Sequence, residues 1–251
     1  HTMSNNMGLG LVTHVAQSQR EITEIKTRSG KSPVAYLAEL GLLGPQMIAG
    51  HCIYVSDADM DILSRTRTHV SHQSGSNSKC GMMAPIKRML DKGVNIGLGT
   101  DNMAGDMVEV MRLAVLVARM LDQNEMALGA MDALRMATIN GAKALGMENE
   151  IGTVEAGKKA DLVIMGLRKV HLVPLVDPVA NIVHNGLGSD VEMVVVDGQI
   201  LIEDGESKIV KEQDLLKEVQ DVACHLWEKM PGGLPAHLRW FDSTFGDNGL
   251  Q

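Results

Sequence analysis

Two histidines and one aspartate stand at the ends of short apolar runs in the first hundred residues. His14 closes the run 9–16, His51 lies within the run 47–55, and Asp101 follows the run 94–99. Where parallel strands alternate with helices around a barrel, the carboxyl ends of the strands meet at one rim. Imidazole and carboxylate are ligands for zinc and ferrous iron. The three residues therefore form a candidate metal site, although each one singly also fits a hydrogen-bonded structural role or a helix cap.

A second polar group follows the third apolar run, 68–73. His72 lies inside that run, and the pair Ser76-Asn77 comes just after it. A histidine one strand before a metal-binding aspartate is suited to orienting a substrate. Serine and asparagine after a strand are also the usual residues of a tight turn, and for Ser76 the turn is the expectation from spacing alone. Gly97 and Gly99 are not followed by a third glycine at the spacing of a phosphate loop, so no such loop is predicted.

The elements that must position these residues follow a repeating pattern from about residue 8 to residue 150. Each short apolar run is followed by a turn and then by a stretch with helical periodicity. The apolar runs are 9–16, 47–55, 68–73 and 94–99, and the helical stretches are 21–26, 33–40, 56–63, 84–92 and 106–120. Strands that are separated by helices predict a parallel sheet.

The pattern changes after residue 150. A strand is predicted at 161–165, and a hairpin is predicted from the runs 191–196 and 199–202 around the turn dipeptide Asp197-Gly198. The segment 211–230 is amphipathic and ends before Pro231-Gly232-Gly233. An antiparallel β module and a terminal helix therefore follow the βα part.

Composition excludes several classes of function. The chain has 251 residues, a formal net charge of −8 and a mean hydropathy of +0.01. Binding to nucleic acid or to anionic membranes depends on clustered basic residues, and the sequence has no basic stripe. No apolar run approaches the roughly 20 residues that a bilayer-spanning helix needs, and the start lacks a secretion-signal pattern. Three cysteines at wide spacing argue against a disulfide framework, so a cytoplasmic protein is expected.

Five stretches together carry a resemblance to a known family. The chain resembles the C-terminal half of amidohydrolase-superfamily enzymes, in the branch of chlorohydrolases, guanine and cytosine deaminases, and deaminases of S-adenosylhomocysteine and methylthioadenosine. The stretch TINGAKALG…IGTVEAGKKADLVI (138–164) is especially specific, because in this family it marks the last barrel helix turning back into the flanking β domain. The matching stretches are THVAQSQREI (13–22), AGHCIYVSDADMDIL (49–63), VSHQSGSNSKCGMMAPIKRMLDKGVNIGLGTDN (70–102), MATINGAKALGMENEIGTVEAGKKADLVI (136–164) and VEMVVVDGQIL (191–201).

The resemblance implies roles for the strand-end residues. His14 matches the metal-binding histidine of the fifth barrel strand, and His51 matches a histidine of the sixth strand that contacts metal or substrate. Asp101 matches the aspartate of the eighth strand, which binds metal and takes a proton from the hydrolytic water. The implied cofactor is a divalent metal, with zinc expected and iron the alternative. Such an ion lowers the pKa of bound water, and the carboxylate removes its proton.

The resemblance also implies residues near the substrate. His72, Ser76 and Asn77 match a histidine and a Ser-Asn pair of the seventh strand that lie there. Gln17 stands where the family usually has a glutamate that shuttles protons to the ring nitrogen. An amide donates hydrogen bonds but does not exchange a proton usefully near neutral pH. Gln17 is therefore expected to hold the substrate, and ordinary ring deamination would lack its usual proton shuttle here.

The expected fold class is α/β: the C-terminal part of a (β/α)8 TIM-like barrel metallohydrolase, followed by strands of a small β-sandwich domain. The sequence has no His-x-His metal pair of the kind that the family carries on its first strand, and four βα units do not close an eight-stranded barrel. The expected divisions are an N-terminal remnant or loop (1–7), barrel strands five to eight (8–150), a β-sandwich portion (151–210), and a C-terminal helix and tail (211–251).

The function expected is that of a metal-dependent hydrolase acting on a C–N or C–halogen bond of a small nitrogen heterocycle. The alternative is a catalytically incomplete half-barrel with a binding or assembly role only. A third hypothesis is a flavodoxin-like nucleotide-binding domain. It is disfavoured by the missing phosphate loop and by the terminal β module. A half-barrel exposes two unpaired strand edges, so a homo-oligomer is expected. Neither nucleic acid nor membrane is an expected partner.

Overall fold

A four-stranded parallel sheet forms the centre of the first part of the chain. The computed structural model describes residues 9–102 and 105–229. The strands lie side by side in the order β1-β2-β3-β4, and every adjacent pair is parallel. They are β1 (Leu11–Val15), β2 (Met47–His51), β3 (His69–His72) and β4 (Ile96–Leu98). Each lies inside one of the four predicted apolar runs, so the parallel sheet is confirmed.

Helices connect and follow the strands. The helix after β2 begins as predicted at Ser56, whose hydroxyl accepts a hydrogen bond from the Asp59 N–H while the Asp59 carboxylate accepts one from the Ser56 N–H. The helices are α1 (Gln19–Ser29), α2 (Pro33–Glu39), α3 (Asp57–Thr66), α4 (Ser74–Lys79), α5 (Ile86–Asp91), α6 (Met107–Asp122), α7 (Ala130–Ala137), α8 (Ile139–Ala144), α9 (Pro178–Asn185) and α10 (Glu212–Glu228).

The core lies between the parallel sheet and these helices. Val70 of β3 and Ile96 of β4 are fully buried neighbours in register, and Met60 and Leu63 of α3 pack in the same cluster. The long helix α6 contributes one buried face, as its periodicity predicts. Burial of these side chains stabilises the βα part by roughly 25 cal/mol per Å² of apolar surface removed from water. The sheet therefore gives a rigid base for the residues at its strand ends.

Helix α4 corrects one prediction. Ser76 and Asn77 lie in a helix, where a tight turn was expected at Ser76. The Ser74 hydroxyl donates a 2.7 Å hydrogen bond to the Val110 carbonyl of α6, and the Asn77 N–H donates to the Gln73 carbonyl. These contacts hold the segment helical, because a buried tertiary anchor outweighs the weak local preference of serine and asparagine for turns. The turn prediction was therefore wrong.

A second sheet follows the helical region. Its antiparallel strands are β5 (Leu162–Met165), β6 (Val191–Val196), β7 (Gln199–Glu203) and β8 (Glu206–Ser207), in that spatial order. Asp197 and Gly198 join β6 to β7 with φ angles of 49° and 79°, both in the left-handed region that the predicted type I′ turn requires. The predicted hairpin is thus confirmed. Residues 9–102 and 105–229 contain one antiparallel sheet here, which is less than the predicted β-sandwich.

The predictions for the two ends of the sequence fall partly within the described residues. Helix α10 (Glu212–Glu228) lies within the predicted amphipathic segment 211–230, and none of its side chains is buried. The predicted remnant or loop at 1–7 and the break at Pro231-Gly232-Gly233 lie outside the described residues. Among the helices of the described ranges, none is long and apolar enough to cross a bilayer.

Candidate functional site

The carboxyl ends of the four parallel strands bring the sequence-predicted residues to one edge of the sheet, which we call the strand-end rim. His14 is the fourth residue of β1, and His51 and His72 are the last residues of β2 and β3. Asp101 follows β4 by three residues. In register, Val15 pairs with His51, and His72 pairs with Leu98. The candidate metal residues and the candidate substrate residue of β3 therefore share this rim.

His14 and His51 lie next to each other. Their ring centroids are 5.2 Å apart, with the ring planes inclined by 36°. His14 is exposed, whereas the side chain of His51 is only 2% exposed. Two imidazoles at this separation, one open to solvent and one anchored in the protein, form the centre of the candidate site.

The backbone at His51 is held in an uncommon conformation. His51 and Cys52 have φ angles of 69° and 48°, in the left-handed region that costs a non-glycine residue about 1–3 kcal/mol. The His51 N–H donates a 3.1 Å hydrogen bond to Gln73 Oε1, and the Cys52 N–H donates to the Val15 and Gly50 carbonyls. These bonds offset the strain and turn the chain sharply out of β2, which directs the His51 ring into the rim.

The ring of His51 has a buried partner from the next βα unit. Its Nδ1 lies 2.9 Å from Oδ1 of Asn77, which is itself 1% exposed. Asn77 was predicted as a substrate-binding residue. In the structure its amide oxygen lies against the His51 ring, and its Nδ2 has no hydrogen-bond partner among the described residues.

Asp101 is the carboxylate of the rim. It is exposed, has a φ of 55°, and accepts a 2.6 Å hydrogen bond at Oδ2 from the Ser76 hydroxyl. That bond is the largest cause that lowers the pKa of Asp101 below its ordinary value, and the Asn102 N–H and the nearby imidazoles of His51 and His14 lower it further. Asp101 is therefore ionised at neutral pH and electrostatically coupled to both histidines.

His72 occupies a different environment from the other rim residues. It is completely buried, and burial lowers its pKa to about 4, with a smaller contribution from His51. Its imidazole is therefore neutral at physiological pH. Both ring nitrogens are buried, and neither has a hydrogen-bond partner among the described residues.

Gln17 lies in the loop that leaves β1, and Glu21 holds that loop in place. The Ala16 and Gln17 N–H groups donate to the two oxygens of the Glu21 carboxylate at 2.7 and 2.8 Å. Ser18 caps the helix by accepting from the Glu21 N–H at 3.2 Å. Sequence reasoning missed Glu21, although the spacing Ser18-x-x-Glu21 is a readable helix-start signal. It also missed Gln73, for which the local sequence carries no signal.

The donor set fits part of a metal site. Zinc takes four ligands in structural sites, and three protein ligands plus water in catalytic ones. His14 and His51 offer two imidazoles side by side, and Asp101 offers a carboxylate at the same rim. Within residues 9–102 and 105–229, however, no three His, Cys, Asp or Glu side chains stand close enough to surround one ion. The described residues therefore supply an incomplete set of ligands.

Similar solved structures share this fold. The chain superimposes on an adenosine deaminase from Xanthomonas campestris, solved with bound zinc, with a TM-score of 0.86 and 25% sequence identity, covering 90% of this chain and 52% of that one. It also matches an atrazine chlorohydrolase from Arthrobacter aurescens complexed with zinc, with a TM-score of 0.79 and 24% identity over 88% and 50% of the two chains. The parallel sheet and its helices are thus those of an amidohydrolase barrel fragment.

Curated relatives and a family match complete the comparison. The chain is 41% identical over 218 residues to a 5-methylthioadenosine/S-adenosylhomocysteine deaminase of Moorella thermoacetica, covering 85% of this chain and 51% of the relative. It is 40% identical over 224 residues to a 5'-deoxyadenosine deaminase of Methanosarcina mazei, covering 87% and 51%. The chain spans about half the length of these relatives. Residues 2–201 match the amidohydrolase family. The resemblance read from the sequence is confirmed, and the chain belongs to the amidohydrolase family.

Proposed function

We propose that the chain forms part of a metal-dependent hydrolase that removes an amino group, or a halide, from a carbon of a small nitrogen heterocycle. The observation that carries the proposal is the convergence of His14, His51 and the ionised Asp101 at one rim of the parallel sheet. Deaminase relatives that act on adenosine derivatives support an aminated purine nucleoside as the substrate class.

The proposed chemistry assigns one task to each rim residue. His14, His51 and Asp101 would hold a divalent ion, with zinc favoured over iron because similar structures were solved with zinc. When bound, that ion would activate the hydrolytic water. Asp101, whose pKa is lowered by Ser76, accepts the proton of the water as general base. His51, which interacts electrostatically with Asp101, would contact the ion or the substrate.

The remaining candidates would bind the substrate. Gln17 would hold a ring nitrogen by hydrogen bonding, and His72, whose buried ring nitrogens have no partner among the described residues, would make a polar contact. Ser76 and Asn77 would also contact the substrate, in addition to their contacts with Asp101 and His51.

The test is product release by the 251-residue chain supplied with Zn²⁺. Ammonia is measured with 5'-methylthioadenosine, S-adenosylhomocysteine and 5'-deoxyadenosine, and chloride with a chlorotriazine. Turnover in the wild-type chain that falls about 10² to 10⁴-fold in Asp101→Asn, and persists in the control Asp122→Asn, supports the proposal. A folded chain that turns over none of these substrates contradicts it.

One observation favours a second candidate function, a half-barrel that binds or assembles without turnover. Within the described ranges, no three His, Cys, Asp or Glu side chains stand close enough to hold one ion. Substrate binding seen by calorimetry, without any product, would support this second function.

The finer organisation of the chain is also a proposal. We divide it into a loop at 1–7, barrel strands at 8–150, a β-sandwich portion at 151–210 and a C-terminal helix with its tail at 211–251. The change from a parallel to an antiparallel sheet supports the boundary near residue 150. Val163 and Ile200 of the antiparallel sheet are 61% and 44% exposed, which favours a second layer that covers them. Limited proteolysis that cuts within 40–130 before it cuts near residue 150 would contradict this division.

We further propose a cytoplasmic homo-oligomer. Cys52, Cys80 and Cys224 are unpaired, which favours a reducing compartment. The sheet order leaves β1 and β4 as edges, and α10 exposes the apolar residues Leu215, Val219 and Val222. Sedimentation at micromolar concentration is expected to give an oligomer that Val219→Asp weakens and Glu218→Gln does not. A stable monomer would contradict the proposal.

A further inference from the structure

We infer that Asn77 is a positioning residue whose side-chain oxygen keeps the imidazole proton of His51 on Nδ1, so that Nε2 is the nitrogen His51 presents to the strand-end rim. What this means for the reaction rests on the proposed function, whereas the evidence for it is the geometry of His51 and Asn77. Nδ1 of His51 and Oδ1 of Asn77 are 2.9 Å apart, and both side chains are at least 98% buried. An amide oxygen only accepts hydrogen bonds, so the nitrogen facing it must carry the hydrogen.

The His51 ring is fixed against this partner by its own backbone. The His51 N–H donates to Gln73 Oε1, and Gln73 Nε2 donates in turn to the Ser71 hydroxyl at 2.7 Å. A Cβ at Gly99 would lie 3.1 Å from the Ser71 hydroxyl oxygen and 3.4 Å from Gln73 Nε2, so the neighbouring strand closes over this network. Buried hydrogen bonds of this kind are stronger than solvated ones, which leaves the ring one favoured orientation.

Two consecutive residues of helix α4 therefore contact side chains of the strand-end rim. Ser76 donates to Asp101 after β4, and Asn77 accepts from His51 at the end of β2. These contacts cross from β3 to the strands on either side of it in the sheet. The prediction that both residues bind substrate did not anticipate that each is already engaged with a proposed reactive group.

The tautomer decides what His51 does at the rim. With the proton on Nδ1, Nε2 keeps a lone pair that can ligate an ion or accept a hydrogen bond. With the proton on Nε2, that nitrogen would only donate, and Nδ1 would face the amide oxygen lone pair against lone pair. Asn77 thus acts through His51 and need not touch the substrate.

The experiment reads the tautomer directly. The 251-residue chain is labelled with ¹⁵N-histidine, and two-bond ¹H–¹⁵N correlations are recorded at about pH 8, where an ordinary imidazole is neutral. His51→Gln assigns the signals of His51. The wild-type chain and Asn77→Asp, which keeps an acceptor oxygen, are expected to show the proton on Nδ1. Asn77→Leu, which has no acceptor, is expected to move the proton toward Nε2. Ser78→Ala, which removes a neighbouring hydroxyl that has no hydrogen-bond partner among the described residues, is the control and leaves the tautomer unchanged.

Two results overturn the inference. One is a proton on Nε2 of His51 in the wild-type chain. That result is expected if the Asn77 amide is turned so that its Nδ2 donates to Nδ1 of His51. The other is an unchanged tautomer in a folded Asn77→Leu chain. If Asn77→Leu does not fold, the wild-type chain and Asn77→Asp decide alone, because a proton on Nδ1 supports the inference and one on Nε2 overturns it. An inactive chain with the Nδ1 tautomer would contradict the proposed function and leave this inference standing.

Discussion

The hydroxyl of Ser76 donates a 2.6 Å hydrogen bond to Oδ2 of Asp101, joining the helix after β3 to the turn after β4 across 25 residues of sequence. The bond is the largest cause of the lowered pKa of Asp101. A general base must be ionised to work and must point at the water it deprotonates. Ser76 contributes to both requirements, because it stabilises the charged form and restrains one carboxylate oxygen.

Ser76→Ala is therefore expected to raise the pKa of the Asp101 carboxyl, since the main group that stabilises its charged form is removed. Carboxyl ¹³C chemical shifts, followed as pH is changed, measure this pKa. Ser78→Ala is the matched control, because the Ser78 hydroxyl is buried without a hydrogen-bond partner in the described part of the chain. An Asp101 pKa that is the same in Ser76→Ala and in the wild-type chain would show that the bond does not form in solution.

The loop that carries Gln17 gives a second prediction. Gln17→Glu is expected to raise ammonia release from aminated heterocycles, because a carboxylate exchanges protons with a ring nitrogen whereas an amide does not. Loss of a halide needs no such proton, so chloride release should fall as a new negative charge is placed beside the rim. Steady-state rates on both substrate classes measure the change.

The control for this substitution is Gln19→Glu, which adds the same charge at an exposed position of α1. It is expected to leave both rates unchanged. Equal rates for the wild-type chain and Gln17→Glu on every substrate, in a protein that does turn over, would remove Gln17 from the reaction.

Zinc binding by this chain is expected to be weak. His14, His51 and Asp101 offer at most three ligands, and within the described ranges no three His, Cys, Asp or Glu side chains stand close enough to hold one ion. Metal analysis after dialysis should therefore give less than one zinc per chain. His14→Ala should lower the content further, whereas His225→Ala, on the exposed surface of α10, should not. One tightly held ion per chain would contradict this expectation.

Asp190 gives a pH-dependent prediction away from the rim. Burial raises its pKa, but hydrogen bonds from His171 at 2.8 Å and Lys169 at 2.9 Å outweigh burial and hold the pKa at about 2. Because the folded-state pKa lies below the ordinary value of 3.8, the carboxylate stabilises the fold above about pH 4. That stabilisation is lost as pH falls from about 4 toward 2.

Asp190→Asn is expected to lower the free energy of unfolding by about 1–3 kcal/mol at pH 6, because a buried charge partner is lost. The loss should shrink as pH approaches 2, where the wild-type carboxyl is itself becoming protonated. Urea unfolding at several pH values measures both effects, with the exposed Asp221→Asn as control. A destabilisation that is the same at pH 6 and pH 3 would show that the charge of Asp190 does not stabilise the fold.

Local patterns in the sequence were sufficient for many of the elements, although not for helix α4. Apolar runs bounded by turns predicted the four parallel strands, Ser56 and Asp59 predicted a helix start, and Asp197-Gly198 predicted a hairpin turn. Each signal depends on residues within a few positions of one another, and the physical preferences behind it act at that range. The position of His14, His51 and Asp101 at strand ends followed from the same patterns, because parallel strands share one direction.

Only the tertiary structure decided which side chains meet at that rim. Asn77 reaches His51 across 26 residues and Ser76 reaches Asp101 across 25, and both contacts exist because Ser74 anchors helix α4 to α6. The burial that keeps His72 neutral is likewise a property of the packed core. Such contacts depend on the relative placement of distant elements, which side-chain packing sets and which no short stretch of sequence encodes.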